Sequence, residues 1–306
     1  MPKILVSPSS FGECGLEPYD ILREHGFEII PNPYGRKLSE NEIIEHASDI
    51  TGVVAGVETY SRRVLDSLKN LKCISRVGVG VDSIDLNYAR EKGVEVLITP
   101  EGPTQAVAEL SLGLAMNLLR RISISDRNIR DGIWKKEVGN LLVNKTIGII
   151  GLGRIGKRTA TLYKALGCKV VAFDKFPDVP WMESNEVQSV SLEQLCGDSD
   201  IITIHVPGMD NGKPLIAFPQ LETIKPATII INLSRGGVVD EHDLFTYLKA
   251  NPDSFAALDV FNKEPYTGPL TTLDNIVLTP HLGSYAKEAK LNMEIDAVKN
   301  LIEFLK

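Results

Sequence analysis

Thr146-Ile147-Gly148-Ile149-Ile150-Gly151-Leu152-Gly153-Arg154-Ile155-Gly156 is the stretch from which the rest of this chain can be read. Its first half is a short apolar run rich in β-branched residues, the pattern of a strand buried on both faces. Its second half is G-x-G-x-x-G, and the residues that follow, Arg154 to Leu166, carry a helical pattern. A second apolar run, Lys169-Val170-Val171-Ala172-Phe173-Asp174, ends in an acid 18 residues after Gly156. Each part has a physical task. Gly151 permits the tight turn, Gly153 lets backbone approach a pyrophosphate, and Gly156 lets the helix pack close to the strand. The helix start offers unbonded N–H groups and positive partial charge to that anion. Asp174 is placed to accept from ribose hydroxyls and to repel a 2′-phosphate, which favours NAD over NADP. The bland alternative for Asp174 is a strand-end carboxylate that caps a loop. A Walker A reading of the same residues fails, because the position after Lys157 is Arg158 rather than Ser or Thr.

Outward from this unit the chain repeats the same alternation. Strands are predicted at 3–7, 28–31, 49–55, 73–77, 94–98, 146–151, 169–174, 200–206, 227–233, 254–259 and 275–279. Amphipathic helices are predicted at 40–47, 61–69, 85–92, 154–166 and 242–250. Alternation of this kind means an α/β fold with doubly wound parallel sheets. Two segments differ. Residues 103–131 read as one long helix, opened by Pro103-Thr104 and closed by Asp131-Gly132, and residues 285–305 read as a second. The sequence therefore predicts one domain at 1–100 plus 282–306, with a second, at 101–281, inserted into it.

Composition excludes several classes. The 306 residues include 43% hydrophobic and 24% charged residues, ample for large cores. Lys and Arg number 33 against 40 Asp and Glu, a net charge of −7 with no basic tract, so nucleic acid is not an expected partner. No apolar run reaches the ~18 residues that a membrane span needs, and residues 1–8 read as a first strand rather than a leader. Cys14, Cys73, Cys168 and Cys196 are scattered without a CxxC pair, which suggests reduced thiols packed as small core residues in a cytoplasmic protein.

Dinucleotide binding needs chemistry beside it. Oxidation of a hydroxyl takes hydride from its carbon and a proton from its oxygen, so it needs a proton acceptor beside that carbon and a cation to hold the substrate. The five histidines form no HExxH or Cys/His cluster, and there is no GxSxG elbow, so a metal-free histidine base is expected. His25, His46 and His242 read as solvated helix residues. Ligands of open α/β sheets bind past the carboxyl ends of strands, and three such ends carry suitable groups. Arg235 follows Ile229-Ile230-Ile231-Asn232, Glu264 follows Ala257-Leu258-Asp259, and His281 follows Val277-Leu278-Thr279-Pro280. Alone, each also reads as an ordinary surface or loop residue.

In order and spacing, GLGRIG with Asp174, NLSRGGVVDE (232–241), ALDVFNKEP (257–265), TPHLGS (279–284) and VGVGVDSID (77–85) resemble the NAD-dependent D-isomer-specific 2-hydroxyacid dehydrogenases over essentially the whole chain. The resemblance implies two Rossmann-like domains with the cofactor domain inserted into the substrate domain. It implies that Arg235 grips the substrate carboxylate and keto oxygen, that His281 exchanges the hydroxyl proton, and that Glu264 orients the His281 ring. Substrate contacts are implied for Arg76, Val79 and Gly80. Cofactor contacts are implied for Gly151, Gly153, Arg154, Ile155, Gly156, Asp174, His205, Val206, Pro207, Leu233, Ser234, Arg235, Asp259, His281 and Gly283. Among these, Asp259 faces the nicotinamide carboxamide and His205 contributes through its backbone.

The substrate implied is a small 2-keto or 2-hydroxy acid. Arg76 points towards a phosphorylated one such as 3-phosphoglycerate, whereas Glu58 would repel a second anionic group; hydroxypyruvate, glyoxylate and other 2-keto acids form the alternative. The family also includes dinucleotide-responsive binding proteins such as corepressors, which is the other function class. A homodimer is expected, built on the apolar residues Leu110, Leu112, Leu114, Met116, Leu118 and Leu119.

Overall fold

The computed structural model describes residues 1–47, 49–209 and 212–306. They fall into two units, residues 1–103 with 284–306, and residues 104–283. The first unit contains β1 (Lys3–Val6), α1 (Glu17–Glu24), β2 (Glu28–Pro31), α2 (Glu40–His46), β3 (Gly52–Ala55), α3 (Arg62–Ser67), β4 (Cys73–Arg76), α4 (Leu86–Glu91) and β5 (Glu95–Leu97). Residues of α5 (Gly102–Leu119) cross into the second unit, which continues with α6 (Ile122–Arg130), β6 (Thr146–Ile150), α7 (Arg154–Ala165), β7 (Lys169–Phe173), α8 (Val179–Ser184), β8 (Gln188–Ser189), α9 (Leu192–Asp198), β9 (Ile201–Ile204), α10 (Phe218–Thr223), β10 (Ile229–Asn232), α11 (Glu241–Ala250), β11 (Phe255–Leu258) and β12 (Ile276–Leu278). The chain closes with α12 (Lys287–Leu305), which returns to the first unit.

Both sheets are parallel. The first has the order β2-β1-β3-β4-β5, and the second β12-β11-β10-β9-β6-β7-β8. These are doubly wound orders, with direction reversing between β1 and β3 in one and between β6 and β9 in the other. Every residue of β3, β9, β10 and β11 is buried, which is why these strands read as unbroken apolar runs instead of alternating ones. In the first unit Val298, Leu301 and Ile302 of α12 pack with Ile4, Val6 and Val54 on one sheet face, and Ile43, Val64 and Leu65 cover the other.

Three expectations need correction. The helix predicted at 103–131 is two helices, because Arg121 takes a left-handed conformation (φ 56°) and its guanidinium lies 3.7 Å from the centre of the Phe255 ring. The Asn117 side chain accepts from the Ser123 amide (2.8 Å) and so fixes the start of α6. The leucines expected to form a dimer face are instead inward: Leu114, Leu118 and Leu119 belong to the second unit's core and Leu110 and Leu112 pack against it, leaving Met116 exposed. Finally, Cys73, Cys168 and Cys196 are core residues, but Cys14 is only half-buried, in the loop after β1.

Candidate active site

Three strand ends of the second unit, those of β6, β11 and β12, carry the glycine motif and the His-Glu pair. Between β6 and α7, Gly151 has φ +92°, and a Cβ there would lie 2.5 Å from the His205 carbonyl oxygen. A Cβ on Gly156 would collide with the Gly151 carbonyl oxygen, so the close approach of helix to strand depends on its absence. Gly153 is the N-cap of α7, and open space surrounds the place where its side chain would be. The amides of Gly153 and Ile155 donate to no acceptor among the described residues. Arg154 opens the helix beside them. Asp174, at the end of β7, braces this turn: Oδ2 accepts from the Leu152 amide (2.6 Å) and Oδ1 from the Phe176 amide (2.7 Å). The loop-capping role is thus present in the structure.

His205, at the end of β9, lies against the same turn through its backbone, its amide donating to Ile150 (2.7 Å). Its Nε2 is 3.0 Å from Thr203 Oγ1, which contacts Ser111 Oγ at 3.0 Å. Among the described residues Nδ1 has no hydrogen-bond partner, and burial pushes the imidazole pKa down to about 3. The ring is therefore a neutral, structural group. Val206 and Pro207 follow it; Val206 packs on the second unit's core and Pro207 is exposed.

The His-Glu pair and Arg235 stand past the ends of β10, β11 and β12, three adjacent strands. Asn232 Nδ2 donates to the Arg235 carbonyl (3.0 Å), and Asn232 Oδ1 accepts from both the amide and the hydroxyl of Ser234. This buried asparagine shapes the turn that presents Arg235; Leu233 and Ser234, both buried, form its floor. The turn abuts the next strand end directly, since a Cβ on Gly236 would run into the Phe261 carbonyl. Phe261 then donates its amide to Glu264 Oε1 (3.1 Å). The other oxygen, Glu264 Oε2, is 3.1 Å from His281 Nδ1.

A carboxylate only accepts, so Nδ1 carries the proton and Nε2 of a neutral ring keeps its lone pair. The His281 side chain is 52% exposed and that of Glu264 39%, so the pair is open to a ligand. His281 itself has φ +56°, an unusual conformation for a non-glycine residue. Asp259 holds it there. This fully buried carboxylate accepts from the Leu282 amide (2.7 Å), the Gly283 amide (2.8 Å) and Thr279 Oγ1 (2.5 Å), while its carbonyl takes the His281 amide (2.9 Å). Asp259 is therefore first a brace of the His281 loop. Sequence reading missed Asn232 and Thr279; the one signal available was a polar residue at the end of an apolar strand, a frequent origin of side-chain-to-backbone turns.

In the first unit, Arg76 ends β4 and folds over its own loop: Nε donates to the Gly80 carbonyl (3.0 Å), and the guanidinium lies over Gly78, which has φ +124°. The amides of Val79 and Gly80 donate to no acceptor among the described residues. Among those residues, no group of three His, Cys, Asp or Glu side chains is placed to hold a metal ion.

Residues 112–283 match the family described as D-isomer specific 2-hydroxyacid dehydrogenase, NAD binding domain. The chain is 37% identical to D-3-phosphoglycerate dehydrogenase of Archaeoglobus fulgidus over 95% of its own length but only 55% of that protein, so it spans about half of that relative. It is 36% identical to hydroxypyruvate reductase of Thermotoga maritima, over 88% of this chain and 89% of the relative. Among solved structures, the TT0316 protein of Thermus thermophilus superposes with a TM-score of 0.90 at 33% identity, covering 99% of this chain and 96% of the other. The chain thus belongs to the D-isomer-specific 2-hydroxyacid dehydrogenase family, and its second unit contains that family's NAD-binding domain.

Proposed function

We propose that this chain transfers hydride between NAD(H) and a small anionic D-2-hydroxy acid or its 2-keto acid, the class that includes 3-phosphoglycerate and hydroxypyruvate. The observation that carries this reading is the His281–Glu264 pair, ring proton on Nδ1 and Nε2 open, past the end of β12 and two strands from the turn that presents Arg235. His281 Nε2 takes the hydroxyl proton in oxidation and returns it in reduction, and Glu264 fixes the orientation of the ring. Arg235 holds carboxylate and keto oxygen with its planar fork of donors. When bound, the nicotinamide accepts or supplies the hydride.

The second unit is the NAD-binding domain in this reading and the first the substrate domain. The amides of Gly153 and Ile155, with Arg154 and the positive end of the twelve-residue helix α7, suit a pyrophosphate. Asp174 keeps lone pairs for the ribose; Leu233, Ser234 and Gly283 supply backbone, and Asp259 reaches the carboxamide with capacity left from its loop. The amides of Val79 and Gly80 suit the substrate carboxylate, with Arg76 adding positive charge.

We further propose a cytoplasmic homodimer. Among the described residues no helix is long and apolar enough to cross a membrane. The second unit exposes a run of apolar side chains at Ile122, Ile129, Ile133, Trp134, Val138 and Leu141, a face suited to a second copy. Sedimentation of the wild type and of Trp134→Glu tests this: the wild type sediments as a dimer and the variant shifts to monomer.

The activity is tested by following NADH consumption against phosphohydroxypyruvate, hydroxypyruvate, pyruvate, glyoxylate, 2-oxoglutarate and oxaloacetate. Turnover of at least one supports the assignment. Silence across the panel while NADH still binds would refute it in favour of a dinucleotide-sensing protein.

A further inference from the structure

In a doubly wound sheet, the ligand crevice opens where strand order reverses, past the carboxyl ends of the two strands concerned. In the first unit those strands are β1 and β3. The residues just past them are Ser7 and the turn Gly56-Val57-Glu58, and they are locked together. Glu58 Oε2 accepts from Ser7 Oγ (2.7 Å) and from the Gly56 amide (2.8 Å), and Tyr60 donates its hydroxyl to Ser7 Oγ (3.1 Å). Ser7 and Tyr60 are fully buried and Glu58 is 1% exposed. A Cβ on Gly56 would stand 2.9 Å from the same oxygen, so the carboxylate also fills the space a side chain at 56 would need.

A strand-end amide and a serine hydroxyl are what an incoming anion would meet at such a point. Here both already serve an anion from within the chain. Arg76, at the end of the next strand, acts on the same Tyr60 hydroxyl as Glu58 and holds the Gly80 carbonyl. The loops after β1, β3, β4 and β5 (7–16, 56–61, 77–85 and 98–101) contain no Lys or Arg.

We infer that Glu58 is a resident anion at the first unit's switch point and a specificity-determining residue: the substrate is a 2-keto acid without a second anionic group, and phosphorylated substrates are rejected. The substrate half of this inference rests on the dehydrogenase reading above. A phosphate brought to this edge meets a buried like charge whose donors are already engaged, an unfavourable juxtaposition in a desolvated site. A hydroxyl or methyl group meets no such repulsion.

Two measurements on the full chain test this. In steady-state kinetics, the wild type should use hydroxypyruvate at least about ten-fold better in kcat/KM than phosphohydroxypyruvate. Glu58→Ala should shrink that ratio by about ten-fold or more, with the near-isosteric Glu58→Gln between them. The ratio is insensitive to a general loss of active protein, and the wild-type value needs no variant at all. In thermal unfolding with the cofactor site filled by saturating NADH, inorganic phosphate at matched ionic strength should raise the melting temperature of Glu58→Ala more than that of the wild type. A wild type that prefers the phosphorylated acid, or one stabilised by phosphate as much as Glu58→Ala, overturns the inference. If no keto acid is turned over yet the phosphate difference appears, the dehydrogenase reading and its substrate corollary fall while the resident anion stands.

Discussion

Two glycine turns, one in each unit, solve the same geometric problem with braces of opposite sign. Gly151–Gly156 follows β6, opens directly into the twelve-residue helix α7, and is braced from beneath by the Asp174 carboxylate. The loop 77–80 follows β4, runs on to the Asp85 cap of α4 without a helix directly behind it, and is braced by the Arg76 cation. Among the described residues each leaves backbone amides unclaimed, Gly153 and Ile155 in one and Val79 and Gly80 in the other. A helix end supplies its own positive potential and tolerates an acid nearby that recognises hydroxyls. A bare loop has no such field, and there the brace must supply the positive charge. The sign of the supporting side chain thus suits one turn to a pyrophosphate flanked by ribose and the other to a small carboxylate.

If this division is right, chemistry and the two anion grips should come apart under mutation. The largest effect is expected at neither turn: His281→Ala should cut kcat by about 10³-fold with NADH affinity nearly unchanged, as read by NADH fluorescence titration. Near-normal turnover in that variant would remove the proton role. The glycines should then separate the turns. Gly156→Ala places a methyl against the Gly151 carbonyl and should abolish detectable NADH binding. Gly78→Ala, where the nearest atom is the movable Arg76 guanidinium but φ is +124°, should raise the KM of the keto acid while NADH still binds. Equal loss of NADH binding in both would break the comparison.

Smaller effects should come from the braces. Asp174→Ala should narrow the preference for NADH over NADPH by about ten-fold, whereas Arg76→Met should leave that preference alone and raise keto-acid KM more at low salt than at high salt. The smallest effect is on stability. His205 is held near a pKa of about 3 against 6.5 for a free imidazole, so the unfolded chain binds the extra proton between those values. The stabilisation is complete above pH 6.5 and declines on acidification, by on the order of 1 kcal/mol per pH unit. Denaturant titrations of His205→Gln should show a shallower acid slope than those of the wild type.

Much of the fold was legible because buried parallel strands announce themselves as short Val/Ile runs, and each predicted strand overlaps an observed one. What escaped was set by contacts the sequence does not display. Arg120-Arg121 carries no breaker, yet the chain turns left-handed there with Arg121 stacked on Phe255, more than a hundred residues away. The six- and seven-residue helices α8, α9 and α10 are too short for a periodicity to register, and β8 is only two residues long. In the candidate site, Arg235, Glu264 and His281 could be picked out as strand-end groups. Of the parts that hold them, the Thr279–Asp259 bond beneath His281 joins two strand ends and was invisible until the sheet was formed, whereas Asn232 acts locally, on the Arg235 carbonyl three residues on. Glu58 shows the same limit: its acidity was plain from sequence, but its inward fold onto Ser7 was not.

Asp259 gives the His281 loop a property that surface loops rarely have. The Leu282 side of this loop faces solvent, 39% exposed, yet the amides of Leu282 and Gly283 are tied to a carboxylate with no exposure at all. An amide held this way exchanges its hydrogen with water only when the loop lets go of the strand end, so both positions should exchange as slowly as the core of β11, Leu282 despite lying at the surface. They form a built-in clock for the release of His281. Any ligand that tightens the loop should slow that clock further without a change in secondary structure.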